Sequence, residues 1–127
     1  MVEPVLKRFE AADETSTFEL GRFEVVHLGG VTVGRASYEP GWIWSRHVGS
    51  LTGERWCRTP HVGLVVSGRN RVTMEDGRTI DMEPGDLFQI APGHDSAVVG
   101  DEPYVSLHFV GADRYGVATR EPIAPTR

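Results

Sequence analysis

The stretch HVGLVVSGRNRVTMEDGRTIDMEPGDLFQIAPG, residues 61–93, decides the fold class. Short runs rich in Val, Ile and Leu alternate with Gly- and Pro-containing connections, which is typical of short strands joined by tight turns. Asp76-Gly77 is the strongest turn signal, because a type I′ hairpin turn needs positive φ at both central residues. The stretch therefore predicts an all-β domain, either a sandwich or a barrel.

The same pattern continues on both sides of this stretch. Residues 10–20 can hold a turn or two of helix, but their apolar residues do not recur at helical spacing. We expect one domain over residues 1–127, with a barrel core at about 22–111, an N-terminal arm at 1–21 and a tail at 112–127. The predicted strands are 23–28, 31–39, 42–48, 61–68, 69–75, 78–82, 87–91, 96–99 and 103–110.

Charge and composition exclude several classes of function. The formal net charge is -5 and the 13 basic residues are scattered, which argues against nucleic acid as a partner. No apolar run approaches the ~18 residues of a membrane span, and the N-terminus lacks the apolar core of a signal peptide. The single cysteine excludes an intrachain disulfide, and we expect the protein in the cytoplasm.

The segment RHVGSLTGERWCRTPHVGLVVSG, residues 46–68, carries two histidines and the cysteine, Cys57. Alternate residues of a strand point to the same face, so His47 and His61 are expected to share the inner face of the barrel. The opposite face is too apolar for water, and a second sheet, the N-terminal arm or a second subunit is expected to cover it. A homodimer is the simplest cover. This apolar face consists of Trp42, Trp44, Val62, Leu64 and Val66.

Two spacings along the chain match sequence motifs of a known family. The two ends of the first motif are matched by Gly41-WIWSR-His47 and by His61-VGLVVS-Gly68. The spacing of the second motif is matched by Gly85-DLFQIAPGHD-Ser96. On these residues the chain resembles the cupins, and among them the small single-domain bacterial cupins. The resemblance covers about residues 22–111. It implies a double-stranded β-helix, or jelly-roll barrel, with little helix and a site for one small molecule inside.

The resemblance also implies where a metal would be bound. Cupins hold their metal with two His and a Glu of the first motif and one His of the second. His47 matches the first of these, whereas the other three positions are Gly49, His61 and Ser96. His47 and His61 are 14 positions apart, where the family has six or seven, so residues 48–60 include an insertion.

The candidate metal ligands are His47, His61 and His94, and less favourably Cys57. His94 lies two residues before Ser96, so on a regular strand both side chains point to the same face. Cys57 precedes His61 by four residues, about 13 Å on a regular strand, so it joins the site only if the inserted loop folds back over the barrel mouth. Otherwise Cys57 is a small buried hydrophobic residue. The expected cofactor is one divalent transition metal: a thiolate ligand favours zinc, whereas imidazoles alone leave iron, manganese, nickel and copper open.

Three functions remain open from the sequence. The first is a metal-dependent enzyme acting on a small organic substrate in the barrel, with Gln89 and Ser96 orienting the substrate. The second is a metal-free ligand-binding or sensing module, because Gly49 and Ser96 replace two family ligands. The third is a scaffold whose barrel is filled by side chains. The fold does not choose among them. His27 and His108 are expected to be structural or surface residues. For His108, which shares a strand face with Tyr104 and Ser106, a role in the pocket is the less favoured alternative.

Overall fold

The structure is a computed structural model that describes residues 3–113. A 3-10 turn at Phe9–Ala11 and another at Gly49–Leu51 accompany one short helix, α1 (Trp44–His47). The strands are β1 (Glu14–Phe18), β2 (Gly21–Leu28), β3 (Val31–Tyr38), β4 (His61–Ser67), β5 (Arg69–Met74), β6 (Thr79–Met82), β7 (Leu87–Ile90), β8 (His94–Val99) and β9 (Tyr104–Val110).

The strands form two antiparallel sheets. The larger sheet has the order β1-β2-β3-β9-β4-β7 and the smaller one the order β6-β5-β8. Inward-facing apolar residues of both sheets pack between them, and Phe23, Val65 and Val72 are almost completely buried. The prediction of an all-β jelly-roll barrel with little helix is therefore confirmed.

The strand predicted at residues 42–48 is wrong. After Ile43, which forms an isolated bridge to Ala97, the chain turns into α1. The Asp95 carboxylate stabilises this turn, because it accepts hydrogen bonds from the Ser45 backbone N–H (2.9 Å) and hydroxyl (2.7 Å). The first N–H groups of a helix have no partner within the helix, so an acceptor at this position favours helix over strand.

The helix changes the position of both tryptophans. Trp42 is fully buried and stacks on Tyr38 with ring centroids 3.7 Å apart, and Trp44 is also buried. The expected outer apolar face therefore does not contain the tryptophans. Val62 and Val66 of that predicted face do lie on the outside of β4, and both are exposed.

The two ends of the chain differ from the middle. The segment expected as an N-terminal arm contains β1, which pairs with β2 at the edge of the larger sheet, with Ser16 opposite Phe23. Most of the expected tail, from residue 114 onwards, lies outside the described residues. Within residues 3–113, no helix has the length and apolar character needed to cross a membrane.

Candidate metal centre

The barrel encloses a cavity between the two sheets. The space that the centre of a water-sized sphere can reach inside it is about 40 Å³. One water needs roughly 10–15 Å³ of such space, so the cavity has room for about three water-sized groups. Its walls are Tyr38, Trp44, His61, Asn70, Val72, Met82, Phe88, Ile90, His94, Ser96, Tyr104, Ser106 and His108.

Three buried side chains meet at one end of this cavity. The ligand atoms of Cys57, His61 and His94 all lie within 4.8 Å of one another. Cys57 Sγ lies 3.7 Å from His61 Nε2, and the His61 and His94 rings meet edge to face with centroids 5.1 Å apart. Among the described residues this is the only such group of three His, Cys, Asp or Glu side chains.

The spacing and chemistry of this cluster fit a metal ion. Zinc binds thiolate sulfur at about 2.3 Å and imidazole nitrogen at about 2.0–2.1 Å, and tetrahedral geometry then separates the two ligand atoms by about 3.6 Å. The Cys57–His61 distance of 3.7 Å agrees with this value. A Cys, His, His set also has the donor atoms that zinc prefers. The three residues therefore fit a tetrahedral ion whose fourth position is open.

The inserted loop brings Cys57 to the barrel by pairing with the start of β8. The Cys57 N–H donates to the His94 carbonyl and the Gly93 N–H donates to the Cys57 carbonyl, both at 2.7 Å. Next to this bridge, the Arg58 guanidinium forms a two-point ion pair with Glu75 at 2.9 and 3.3 Å. The loop does fold back over the barrel mouth, which is the condition under which Cys57 joins the site.

His94 is oriented by the turn that precedes it. Gly93 has φ of +92°, a conformation that only glycine adopts without strain, and the turn places His94 Nδ1 2.8 Å from the Ala91 carbonyl. If Nδ1 donates to this carbonyl, Nε2 is the atom that can bind a metal. Burial lowers the pKa of His94, against the opposing effects of the Ala91 carbonyl and the Asp95 carboxylate. The neutral imidazole that metal binding requires is thus favoured.

His108 is a site residue that the sequence did not single out. It is buried next to His61, with ring centroids 5.1 Å apart, and its Nε2 lies 3.0 Å from the Ser106 hydroxyl. Burial, together with nearby His94, lowers the pKa of His108 to about 3. Burial also raises the pKa of Tyr104, which hydrogen-bonds to Ser106, to about 12. The available signal was strand parity, which places all three residues on the inner face of β9.

The other predicted residues lie in different places. Ser96 lines the cavity on β8. Gln89 is exposed on the outer face of β7, because its neighbours Phe88 and Ile90 take the inward positions. His47 is not part of the cluster, because residues 44–47 form a helix instead of a strand.

The surroundings of His47 show what it does instead. Its Nδ1 lies 3.0 Å from the Ile43 backbone N and its Nε2 lies 4.0 Å from Glu19 Oε1. It lines a separate surface depression with Thr17 and Arg46. His47, His61 and His94 therefore do not come together as one site. The third side chain beside His61 and His94 is Cys57 instead of His47.

Comparisons with known proteins show likenesses of fold. No protein-family model and no curated protein matches the sequence. The structure is similar to a cupin-2 domain from Rhodospirillum rubrum, with TM-score 0.60 and 18% identity, over 96% of this chain and 80% of that one. It is similar to a protein of unknown function from Rhizobium leguminosarum, with TM-score 0.56 and 18% identity, over 84% of this chain and 95% of that one.

A third likeness is to an enzyme. The structure is similar to oxalate decarboxylase from Bacillus subtilis, which has Mn(II) centres, with TM-score 0.54 and 25% identity. The match covers 76% of this chain and 27% of that one, so it spans about a quarter of the enzyme's length.

Proposed function

We propose that this chain, a small protein with the cupin fold, holds one divalent transition metal with Cys57, His61 and His94 and binds a small organic molecule beside it. The observation that carries the proposal is the convergence of three buried ligand atoms within 4.8 Å. Three protein ligands with one open position are typical of catalytic rather than structural zinc sites. The thiolate favours zinc over iron, manganese, nickel and copper.

The position of the cluster supports a role in binding a substrate. His61 and His94 belong both to the cluster and to the cavity wall, so an ion held by the cluster would lie beside the cavity. A bound ion supplies Lewis-acid polarisation of a carbonyl or carboxylate oxygen. The Mn(II) centres of the Bacillus subtilis enzyme support metal chemistry in this fold. We propose a metal-dependent reaction on that small molecule as the activity.

The other polar residues of the cavity act as hydrogen-bonding groups. With pKa values near 3 and 12, His108 and Tyr104 both stay neutral around pH 7. Neither group is therefore tuned to take or give a proton at that pH. Their proposed role is to position the bound molecule, together with Ser96 and Ser106 on the same walls.

Metal analysis of the tag-free protein tests this function. We expect about one equivalent of zinc per chain after gel filtration, and a lower thermal midpoint after chelation. A ligand present at 100 times its Kd stabilises the folded state by about 2.7 kcal/mol, so the shift is measurable. Protein that retains no ion, and that no added divalent metal stabilises, contradicts the proposal.

A second candidate function is a metal-free ligand-binding module. The distance of 3.7 Å between Cys57 Sγ and His61 Nε2 also suits a hydrogen bond from the thiol to the imidazole, which would link the two groups without an ion. In that case chelators would change neither the stability nor the affinity for a small molecule. The metal analysis above therefore separates the two candidates.

The outer face of the larger sheet supports a homodimer as the assembly. β7, β4 and β9 are adjacent strands, and most of their outward-facing side chains are apolar, with Gln89 on β7 as a polar exception. Exposed apolar surfaces of this kind commonly mark contacts between subunits. We propose a reducing compartment such as the cytoplasm as the location of the protein, because it keeps Cys57 a thiol. We also propose that a second copy of the chain covers the apolar surface. Its exposed members are Val62, Val66, Leu87, Phe109 and Val110.

A further inference from the structure

The polar residues of the cavity are ordered along two paired strands. In the β5–β8 pair, Met74 lies opposite His94, and Asn70 lies opposite Val98. The backbone positions of Asn70 and His94 are therefore about 13 Å apart along the strands, whereas a ligand spans only the shorter gap between the side chains that line the cavity. The cavity touches both residues. It thus has a metal end at His94 and a remote end at Asn70.

Asn70 presents an unpaired acceptor at the remote end. Its side chain is 2% exposed, and its Oδ1 has no hydrogen-bond partner among the described residues. A buried acceptor without a partner destabilises the folded state, because it has lost its hydrogen bonds to water. A ligand that brings a hydroxyl or N–H group to Asn70 recovers part of this cost.

The cavity also lacks formal charge. Of the side chains in its wall, all of which belong to the described part of the chain, none is Lys, Arg, Asp or Glu. A carboxylate can bind the metal at one end. A second carboxylate would be buried without a cation, which is strongly unfavourable.

We infer that the ligand is a small molecule with at most one negative charge, which binds the metal through a carboxylate or carbonyl oxygen and donates a hydrogen bond from a hydroxyl or N–H group to Asn70. The metal end of this inference rests on the proposed function, and the Asn70 end rests on the cavity itself. The volume of about 40 Å³ limits the ligand to a few non-hydrogen atoms. A dicarboxylate whose second carboxylate cannot reach the ion is excluded as a ligand of this cavity.

Three probes test the inference on the full-length, zinc-loaded protein. 3-Hydroxypropionate has a donor remote from its carboxylate, and butyrate has the same shape with a methyl group instead. Fumarate has a second carboxylate, and its trans geometry prevents both carboxylates from binding one ion. Calorimetric titration measures the three affinities, and metal analysis of the same samples gives the zinc content.

The expected ranking follows from the two ends of the cavity. One hydrogen bond is worth about 0.5–1.5 kcal/mol, so 3-hydroxypropionate should bind roughly 2- to 12-fold more tightly than butyrate. Fumarate should bind at least tenfold more weakly than butyrate because of its unpaired charge. Equal or tighter binding of butyrate, tight binding of fumarate, or no binding of any probe to zinc-loaded protein overturns the inference. Protein without zinc instead overturns the proposed function, and with it the metal end of the ligand.

Two variants link the preference to the amide. Asn70→Leu removes the acceptor at similar volume and should bind 3-hydroxypropionate no better than butyrate. Ile80→Leu changes an exposed apolar side chain of the same small sheet, outside the cavity wall, and should keep the wild-type preference. If the preference survives in Asn70→Leu, Asn70 is not the acceptor and the inference fails. Should this variant not fold, the ranking by the unaltered protein decides alone.

Discussion

Cys57 Sγ lies 3.7 Å from His61 Nε2, although four sequence positions on a regular strand would separate the two residues by about 13 Å. The chain before His61 is not part of β4, and Cys57 pairs instead with His94 at the start of β8. The inserted loop is thereby part of the candidate site. It contributes a sulfur ligand to a cluster otherwise made of imidazoles.

Replacing the thiol tests the contribution of the loop. Cys57→Ser should lower the affinity for zinc at least about 100-fold, because even the loss of a residue that only supports a ligand costs 10- to 100-fold. Competition with a chromophoric chelator measures this. As a control, Ser50→Ala changes an exposed side chain of the same inserted loop and should leave the affinity for zinc unchanged. Equal zinc affinities for Cys57→Ser and the unaltered protein would show that the sulfur is not a ligand.

The two histidines predicted on either side of the loop should respond differently. His94→Ala removes a member of the cluster and should reduce the bound zinc to well below one equivalent. His47→Ala removes a side chain whose neighbours are Ile43 and Glu19, and it should leave the zinc content at one equivalent. Metal analysis of both purified variants gives the answer. The reverse result would restore the ligand set of the cupin motif.

The turn at Gly93 should affect both stability and metal binding. An alanine there would have to adopt φ near +92°, which costs on the order of 1–3 kcal/mol of folding free energy. Gly77 has φ of +94° in the hairpin between β5 and β6, away from the cluster, so Gly77→Ala should have a similar cost. Urea unfolding should show both losses. In the chelator competition, only Gly93→Ala should bind zinc more weakly than the unaltered protein. Identical zinc affinities for the two variants would show that the turn does not influence the site.

The stability of the metal-free protein should fall with acid through His108. Its folded pKa of about 3 lies below the ordinary value of 6.5, so between these pH values the unfolded state binds the proton and the folded state does not. Stability is therefore complete above pH 6.5 and declines as the pH falls toward 3, by up to about 1.4 kcal/mol per pH unit for this group. Urea unfolding in the presence of chelator measures the slope.

Two variants test whether His108 causes that pH dependence of stability. His108→Gln should make the slope shallower, because the glutamine does not titrate, and buried His94 should account for part of the slope that is left. His27→Gln replaces an exposed histidine that bonds to Glu14 and Thr32, and it should keep most of the slope that His108 causes. A slope unchanged by His108→Gln would mean that another group controls the acid sensitivity.

A charge on the apolar outer face should dissociate the proposed dimer. Phe109→Glu puts a carboxylate on this surface, where a second copy would have to bury it without a partner. Ile80→Glu changes a similarly exposed apolar residue on the smaller sheet and should leave the assembly intact. Sedimentation velocity should give a monomer for Phe109→Glu and a dimer for Ile80→Glu. A monomeric unaltered protein would remove the basis of this proposal.

Sequence patterns predicted the strands well where apolar alternation is bounded by clear turn signals. The hairpin at Asp76-Gly77 is an example, because local turn chemistry and alternation agree there. The alternation of residues 42–48 predicted a strand, but the deciding contact is made by Asp95, which lies 50 residues away from Ser45. β1 was missed because its residues, Glu14–Phe18, show little apolar alternation and rely on pairing with β2.

The candidate site was predictable only in part, for the same reason. His61 follows from its place in the family motif, and His94 follows from the strand parity that it shares with Ser96. The place of Cys57 depends on backbone hydrogen bonds between the inserted loop and His94, which no local pattern encodes. His108 was visible as an inward-facing residue of β9, but its contact with His61 requires knowing that β9 lies beside β4.

Cobalt titration of the metal-free protein, followed by absorption spectroscopy, is the most direct test of the metal centre. Cobalt(II) bound by a thiolate gives a sulfur-to-metal charge-transfer band in the near ultraviolet, and tetrahedral coordination gives intense visible bands. We predict that both bands rise to an end point at one equivalent, and that Cys57→Ser loses the charge-transfer band. A titration without an end point, or with the weak visible bands of the hydrated ion alone, would contradict the assignment of Cys57, His61 and His94 as a metal site.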